Sequence, residues 1–584
     1  MELIKKKYGE LQLVDNKWQI TNLEPHVCIK LKNVFTRIPS HAAKVFTLQN
    51  TPDVAADLLW FIDRYPLKIS SDADFQELQR QNNEFWTVQR MSEALLVPDY
   101  VPSEREGLLP GQVLRSYQRL AIDFVQLNKK VLVVYDVGLG KSYIGLGIAL
   151  IKGILPIAIV MEPHLQEQWY EKAISFLGLS FHKVKGNTPY QLPSSDVYLF
   201  KYSQLAPWID VLCAGWLNGI IYDEVQQLRT GEEKSNKNAA AAQINRIIPV
   251  VVGMTATLIY NYGIEAYNIV NSIKPGALGT IHEFQREWCV KEPGQSSSKG
   301  IVADPDALGS YLRECNILIR KTKADVGQES KQLAPHVEWL EPNLKAVAEM
   351  EKLAEKLAIK ALTGTFNERG QAARDFDLKM RELTGIAKAH AVAAYVRMFI
   401  ESGTPVLLFG WHHSVYQIWA EELSDLNPLF YTGSETATQK ERNKKAFING
   451  ESNLLIMSLR SGAGADGIQY RCSTVIFGEE DWSPQVIEQD VGRLDRDGQK
   501  EEVFVFHAVT NYGSDPLMLS MLGLKAEQAR GIQDPGSTVI EKQADVDRIK
   551  ILAAQYLKSK GIAIPEAKAL AERAEELTAL KELI

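Results

Sequence analysis

The chain has 584 residues, of which 45% are hydrophobic and 23% charged, so it has room for three or four domains and apolar material for more than one core. No apolar run reaches membrane-spanning length, since Val131 to Val160 is broken by Asp136, Lys141 and Lys152, and Met1 to Lys7 lacks the apolar segment of a secretory signal. Five scattered cysteines exclude a disulfide framework and a structural zinc site and point to a reducing cytosol, while a net charge of −7 leaves a local basic groove for nucleic acid open.

Taken in chain order, Leu11, Leu13, Trp18 and Ile20 flank the turn-prone Asp15-Asn16, and Val27, Ile29 and Leu31 alternate with other residues. Both patterns predict short strands. Helices are expected around Asp53 to Asp63 and Asp74 to Asn82, giving a small α+β accessory domain over residues 1–105. From about Leu114 the rhythm becomes strand, loop, helix. Strands are predicted at Val131 to Tyr135, Ile157 to Met161, Val197 to Phe200, Gly219 to Tyr222 and Val250 to Gly253, with helices running to Ile151 and over Leu165 to Phe176. This alternation predicts an α/β lobe with a parallel sheet, residues 106–270. Residues 271–398 read as mostly helical, interrupted by the loop-like Glu292 to Ser298. A second α/β lobe, residues 399–535, has expected strands at Val406 to Phe409, Leu454 to Met457, Thr474 to Phe477 and Val503 to Phe506. A helical tail, residues 536–584, follows, with Pro565 in a first helical turn.

Three short segments carry chemistry. Gly138-Leu139-Gly140-Lys141-Ser142 lies between a predicted strand and a predicted helix. Glycines let the backbone turn its N–H groups toward phosphate oxygens, Lys141 reaches the terminal phosphates, and Ser142 can hold Mg²⁺. Tyr135 replaces the usual first glycine, and the alternative is a glycine-rich turn with a solvated lysine. Downstream, Asp223 and Glu224 end a predicted strand. One carboxylate can take Mg²⁺ and the other can orient and deprotonate an attacking water; an isolated Asp-Glu pair would otherwise be an acidic surface loop. Upstream, Leu114-Arg115-Ser116-Tyr117-Gln118 offers Gln118, whose amide can pair with an adenine edge or simply face solvent.

Together these segments resemble the ordered motif series of superfamily-two helicase-like ATPases, from Leu114 to Gln499. The resemblance implies two RecA-like lobes with ATP and Mg²⁺ between them. Arg115, Gln118, Gly138, Leu139, Gly140, Lys141, Ser142 and Gln489 would bind ATP, and Ser142 and Asp223 would hold Mg²⁺. Thr255-Ala256-Thr257 would couple hydrolysis to lobe movement, through Thr255 and Thr257. Pro163, His164, Ser203, Ser458, Ser461, Gly462 and Trp482 fall where the family contacts DNA. Asp481-Trp482-Ser483-Pro484, followed by Gln489, Arg493, Arg496, Gly498 and Gln499, is similar to the Swi/Snf branch of double-stranded DNA translocases. Ile319 to Val326 also looks like a family element, and Thr384 to Leu423 is closest to compact members that anneal DNA or remodel forks. Ser483 for asparagine, Asp490 for alanine, Ala256 for glycine and a longer glycine segment at Ser461 to Gly467 depart from the family's pattern.

The expected function is an ATP-dependent translocase on double-stranded or forked DNA, with Lys141, Asp223, Glu224, Arg493 and Arg496 catalytic. Arg493 and Arg496 would reach the γ-phosphate when the lobes close; as residues i and i+3 they also suit a solvated helix face. The alternatives are a strand-separating helicase on DNA or RNA, the motor subunit of a nuclease assembly with a separate cutting protein, or a slow nucleotide-controlled binding module. The compact size points to the cytoplasm of a bacterium or phage-infected cell, with no membrane partner. Trp411, His412 and His413 suit nucleic-acid contact and ordinary packing equally.

Overall fold

The computed structural model describes residues 6–35, 38–39, 41–232, 235–256, 263–290, 302–328, 330–363, 366–459, 466–519, 548–559 and 561. Two compact units are present: one comprises Met1–Glu104 with Arg119–Lys129, the other Arg105–Gln118 with Lys130–Ile584.

In the first unit, β1 (Glu10–Val14) and β2 (Lys17–Thr21) form a hairpin. Asp15 and Asn16 both take positive φ there (49° and 57°), the two-residue turn whose twist suits antiparallel strands. The next segment overturns the strand expected from Val27, Ile29 and Leu31, because it is a helix, α1 (Pro25–Val34). Pro25 occupies its first turn; Val27 and Leu31, four apart, are buried, while Ile29 is 61% exposed. The apparent alternation was one stripe of a helix. After it come β3 (Val45–Gln49), α2 (Pro52–Arg64), β4 (Lys68–Ile69) and α3 (Asp72–Leu95), whose N-cap Ser71 Oγ accepts the Asp74 N–H at 3.1 Å. The sheet order is β3-β2-β1-β4, with Trp18, Phe46 and Phe61 in its core.

The helix α4 (Ser116–Asn128) begins in the second unit and continues in the first. The second unit contains two sheets whose strands all run parallel. The first is built from β5 (Lys130–Tyr135), β6 (Ile157–Met161), β7 (Phe181–Lys183), β8 (Val197–Lys201), β9 (Gly219–Asp223), β10 (Val250–Thr255) and β11 (Leu318–Lys321), in the order β11-β5-β10-β9-β6-β8-β7. Its helices are α5 (Lys141–Ile148), α6 (Gln166–Phe176), α7 (Ile209–Leu212), α8 (Asn236–Ile247), α9 (Gly263–Ile273), α10 (Ile281–Trp288) and α11 (Pro305–Glu314). The central strands are near-continuous apolar runs, as a parallel sheet covered on both faces requires.

The second sheet is built from β12 (His336–Trp339), β13 (Val406–Gly410), β14 (Leu429–Tyr431), β15 (Leu454–Ser458), β16 (Thr474–Phe477) and β17 (Phe504–Val509), in the order β12-β17-β16-β13-β15-β14. Val406 and Leu408 pack with α13 (Phe366–Glu401) and α14 (His413–Glu422), whereas Leu407 and Phe409 pack on the opposite face with Phe447 of α15 (Ala437–Asn449) and Val491 of α16 (Pro484–Val491). Period-two alternation thus divides one strand between two cores. Two further helices, α12 (Ala348–Thr363) and α17 (Arg548–Ser559), complete the first of these cores.

The stretch 271–398 is not only helical, since it supplies β11 to one edge of the first sheet and β12 to one edge of the second. Both strands are four residues long and partly polar, so no apolar run marks them. The loop-like Glu292 to Ser298 and Pro565 lie outside the described residues. Among the described residues, no helix is long and apolar enough to cross a membrane.

Candidate active site

The strand ends of the first sheet bring the predicted residues to one edge. β5 ends at Tyr135, and the chain turns through Asp136 to Gly140 before α5 starts at Lys141. Gly138 (φ +92°) and Gly140 (φ +74°) both occupy the left-handed region, where a side chain is disfavoured. A Cβ on Gly140 would also lie 2.6 Å from Gln118 Nε2. Tyr135, the departure from the expected glycine, is still part of the strand; its ring is buried and its hydroxyl donates to Tyr117 O at 3.0 Å. The departure therefore precedes the turn and leaves its geometry intact.

Lys141 Nζ donates to the carbonyls of Tyr135 (2.8 Å) and Asp136 (3.2 Å). Burial lowers its pKa, with Glu224, Asp223 and Asp136 acting the other way. Two left-handed glycines, a half-buried ammonium on carbonyl acceptors and the N-terminus of α5 make a cradle that fits a polyphosphate. Leu139 is fully buried and anchors the turn, and Ser142 is half-buried in the first turn of α5. Gln118 braces the loop: its Oε1 accepts the Arg115 N–H at 2.9 Å and its Nε2 donates to Leu139 O at 3.2 Å.

Asp223 is the last residue of β9, 7% exposed, and its Oδ2 accepts the Trp169 Nε1–H at 2.9 Å. Burial, then repulsion from Glu224, raises its pKa to about 7, against the pull of Trp169, Lys141 and Lys172. Such a carboxylate gains most from a nearby cation. Glu224 sits at φ +51°, a conformation that costs a non-glycine residue about 1–3 kcal/mol. The turn is held by the Tyr202 hydroxyl, which donates to the carbonyls of Asp223 (2.8 Å) and Glu224 (3.3 Å), and Gln226 Nε2 donates to Glu224 Oε2. Among the described residues no three His, Cys, Asp or Glu side chains converge as a metal site. Ser142 and Asp223 suit Mg²⁺ only together with phosphate oxygens and water, the usual way that ion is held.

Thr255 ends β10 and is fully buried; Thr257, Ser461 and Gly462 lie outside the described residues. Pro163, His164 and Ser203 are exposed just beyond β6 and β8, and Ser458 is half-buried at the end of β15. Trp482 is buried, 4% exposed, and its Nε1 donates to Asp377 Oδ1 at 2.9 Å, which ties it to α13.

The second lobe meets the phosphate loop directly. A Cβ on Gly138 would be 3.1 Å from Arg496 Cβ, and a Cβ on Gly492 would be 2.4 Å from Val137 Cγ1. Arg496 Nε donates to Gly492 O at 2.8 Å and its Nη1 to Asp466 Oδ1. Arg493 lies within its own lobe, with Nε and Nη2 both 3.1 Å from Asp490 Oδ1. Gln489 is half-buried on α16.

Several residues at this junction escape sequence reading. Asp136 pairs with Arg320 at 2.7 Å and accepts the Lys323 N–H at 2.9 Å. Lys323 Nζ then reaches Asp495 Oδ2 at 2.6 Å, and Arg115 pairs with Asp497. The only signal for these in the sequence is that Ile319 to Val326 resembles a family element; the partners are too far apart in the chain for spacing to pair them.

No family model matches the chain. It is 24% identical over 453 residues to the SWI/SNF-related matrix-associated actin-dependent regulator of chromatin subfamily A-like protein 1 homolog of Caenorhabditis elegans, covering 74% of this chain and 64% of that one. It is also 24% identical over 470 residues to the Bos taurus DNA annealing helicase and endonuclease ZRANB3, covering 75% and 41%. The chain is a homologue of the Swi/Snf-type helicase-like proteins. The uncharacterized ATP-dependent helicase YqhH of Bacillus subtilis is 21% identical over 471 residues, covering 74% of this chain and 80% of that one. The chain thus spans less than two thirds of the length of the first two of these relatives. A Sulfolobus solfataricus SWI2/SNF2 ATPase core in complex with dsDNA covers 80% of this chain at 17% identity and a TM-score of 0.37, so the two-lobe assignment rests on this chain's own strand order.

Proposed function

We propose that this chain hydrolyses ATP between its two RecA-like lobes and uses the cycle to move along double-stranded DNA. The observation that carries the reading is the meeting of the phosphate loop with Arg496 of the opposite lobe at Gly138. In this reading the loop amides and Lys141 bind the β- and γ-phosphates, and Glu224 orients and deprotonates the attacking water. Ser142 and Asp223 hold Mg²⁺ with the phosphates, and the ion supplies positive charge there. Arg496, and Arg493 if it leaves Asp490, neutralise charge on the transferred group when the lobes close. Exposed Pro163, His164 and Ser203 on one lobe, with half-buried Ser458 on the other, would grip a DNA backbone without reading sequence. Among the relatives, the names "DNA annealing helicase" and "ATP-dependent helicase" support DNA as the track and ATP as the fuel.

The test is steady-state ATP hydrolysis with duplex DNA, single-stranded DNA, forked DNA or RNA as the activator. Duplex or forked DNA should stimulate most. Activation by RNA alone would make the chain an RNA helicase, and hydrolysis indifferent to every nucleic acid would remove the motor reading.

A further inference from the structure

The junction contains a carboxylate that none of the assigned roles uses. Asp466, just before the turn Ile468–Tyr470, accepts Arg496 Nη1 through Oδ1. Its Oδ2 accepts Gln168 Nε2 at 2.6 Å and Lys172 Nζ at 3.3 Å. Gln168 and Lys172 are four residues apart on α6 and share a face. Their neighbour Trp169 donates to Asp223 at 2.9 Å. Lys172 Nζ also lies 5.2 Å from the centre of the Tyr143 ring, in the first turn of α5. One helix therefore touches the acidic pair with one side chain and the second lobe's Asp466 with two others.

Burial works against an ionised Asp466, but Lys172 and Arg496, with Lys444 nearby, outweigh it and hold its pKa below the ordinary carboxylate value. An anion bonded to cations from both lobes orients each of them. Arg496 is fixed along one side, Nε on Gly492 O and Nη1 on Asp466, while its Nη2 makes no hydrogen bond to a described residue. That leaves a donor pair for a phosphate oxygen.

We propose that Asp466 is the positioning residue for Arg496, linking it through Gln168 and Lys172 to the helix that also holds Asp223, so that lobe closure and arginine alignment occur together. This rests on the ATP-hydrolysis reading above. The link exists only while the lobes are in contact, because its two halves belong to different sheets. Arg496 is then held in its working orientation by the same contacts that signal closure, which makes alignment part of the transition-state geometry rather than of nucleotide binding.

The experiment compares wild type, Asp466→Asn, Lys172→Met, the double variant and Lys141→Ala, measuring kcat and KM with duplex DNA and equilibrium binding of a fluorescent ATP analogue. Asp466→Asn should lower kcat on the order of tenfold with KM and analogue affinity within about threefold of wild type. Lys172→Met should lower kcat less, and the double variant should be no slower than Asp466→Asn, because both act through one carboxylate. Unchanged kcat in Asp466→Asn, additive losses, or parallel loss of analogue binding would each overturn the proposal. Should Asp466→Asn fail to fold, Lys172→Met decides alone: lower kcat at constant KM supports the link, and unchanged kcat refutes it. An inactive wild type, or a fully active Lys141→Ala, would instead overturn the ATP-hydrolysis reading and take this proposal with it. Active wild type, dead Lys141→Ala and unaffected Asp466→Asn would overturn the proposal alone.

Discussion

Lys141 donates to the carbonyls of Tyr135 and Asp136, and in the proposed function its partly buried ammonium would exchange those acceptors for phosphate oxygens when a triphosphate enters. Lys141→Ala should abolish DNA-stimulated turnover; near-normal hydrolysis by a folded Lys141→Ala protein would refute the phosphate-loop assignment. The two arginines differ in position. Arg496 already abuts Gly138, whereas Arg493 is committed to Asp490. Arg496→Ala should depress stimulated hydrolysis by something on the order of 10³ while ATP binding stays within a few-fold. Arg496→Lys should rescue poorly, since a point charge lacks the planar fork. Parallel loss of binding and turnover would place Arg496 in the ground-state pocket instead. The structure makes Arg493 the weaker candidate, and Arg493→Ala with normal turnover would leave Arg496 as the sole finger.

Among the elements, strands β5, β6, β8, β9, β10, β13, β15 and β16 were legible in the sequence within a few residues, because buried parallel strands leave apolar runs bounded by turns. The glycine turn before α5 and the Asp223-Glu224 end of β9 were likewise local patterns, and their roles in ATP chemistry belong to the proposed function. β7, β11, β12 and β14 were not legible, being only three or four residues long at sheet edges, and the first three are also partly polar. α1 was misread because Val27, Ile29 and Leu31 fit a period of two while only Val27 and Leu31 are buried. The contacts through Asp136, Asp466 and Asp495 depend on long-range pairing that one sequence does not encode locally. Further long-range bonds join α13 to β17 and the segment after it: Lys388, wholly buried, donates to Ala508 O (2.6 Å) in β17 and to Asp515 Oδ2 (2.7 Å) beyond it. Lys388→Met alone leaves Asp515 buried without its cation and should cost about 3–5 kcal/mol, much of it recovered by adding Asp515→Leu. Thermal unfolding midpoints of the single and double variants check this; equal destabilisation in both would mean the pair is not coupled. Burial raises the Asp515 pKa to about 6 even though Lys388 pulls it down. A carboxyl whose folded pKa lies above its unfolded one binds its proton more tightly when folded. Its contribution is therefore full below about pH 4 and lost as pH rises toward about 6. Asp515→Asn should flatten that part of the stability curve, and an unchanged slope would contradict the assignment.

For the whole molecule, a net charge of −7 means that any grip on DNA must be local. Contacts made to phosphates release counterions, so duplex binding should weaken steeply between about 50 and 200 mM salt. A shallow salt dependence would move the binding energy to base contacts and predict sequence preference. In the proposed function, the two parallel-sheet lobes that meet at the Gly138 turn would act as a hinge, and only phosphate contacts on both lobes would turn its opening and closing into steps. The most direct measurement of that claim is displacement of the third strand from a DNA triplex, run beside unwinding of a long blunt duplex. Wild type should release the third strand in an ATP-dependent manner, Lys141→Ala should not, and the blunt duplex should stay intact throughout. Separation of the plain duplex, or a third strand that stays bound while ATP is consumed, would contradict translocation on double-stranded DNA.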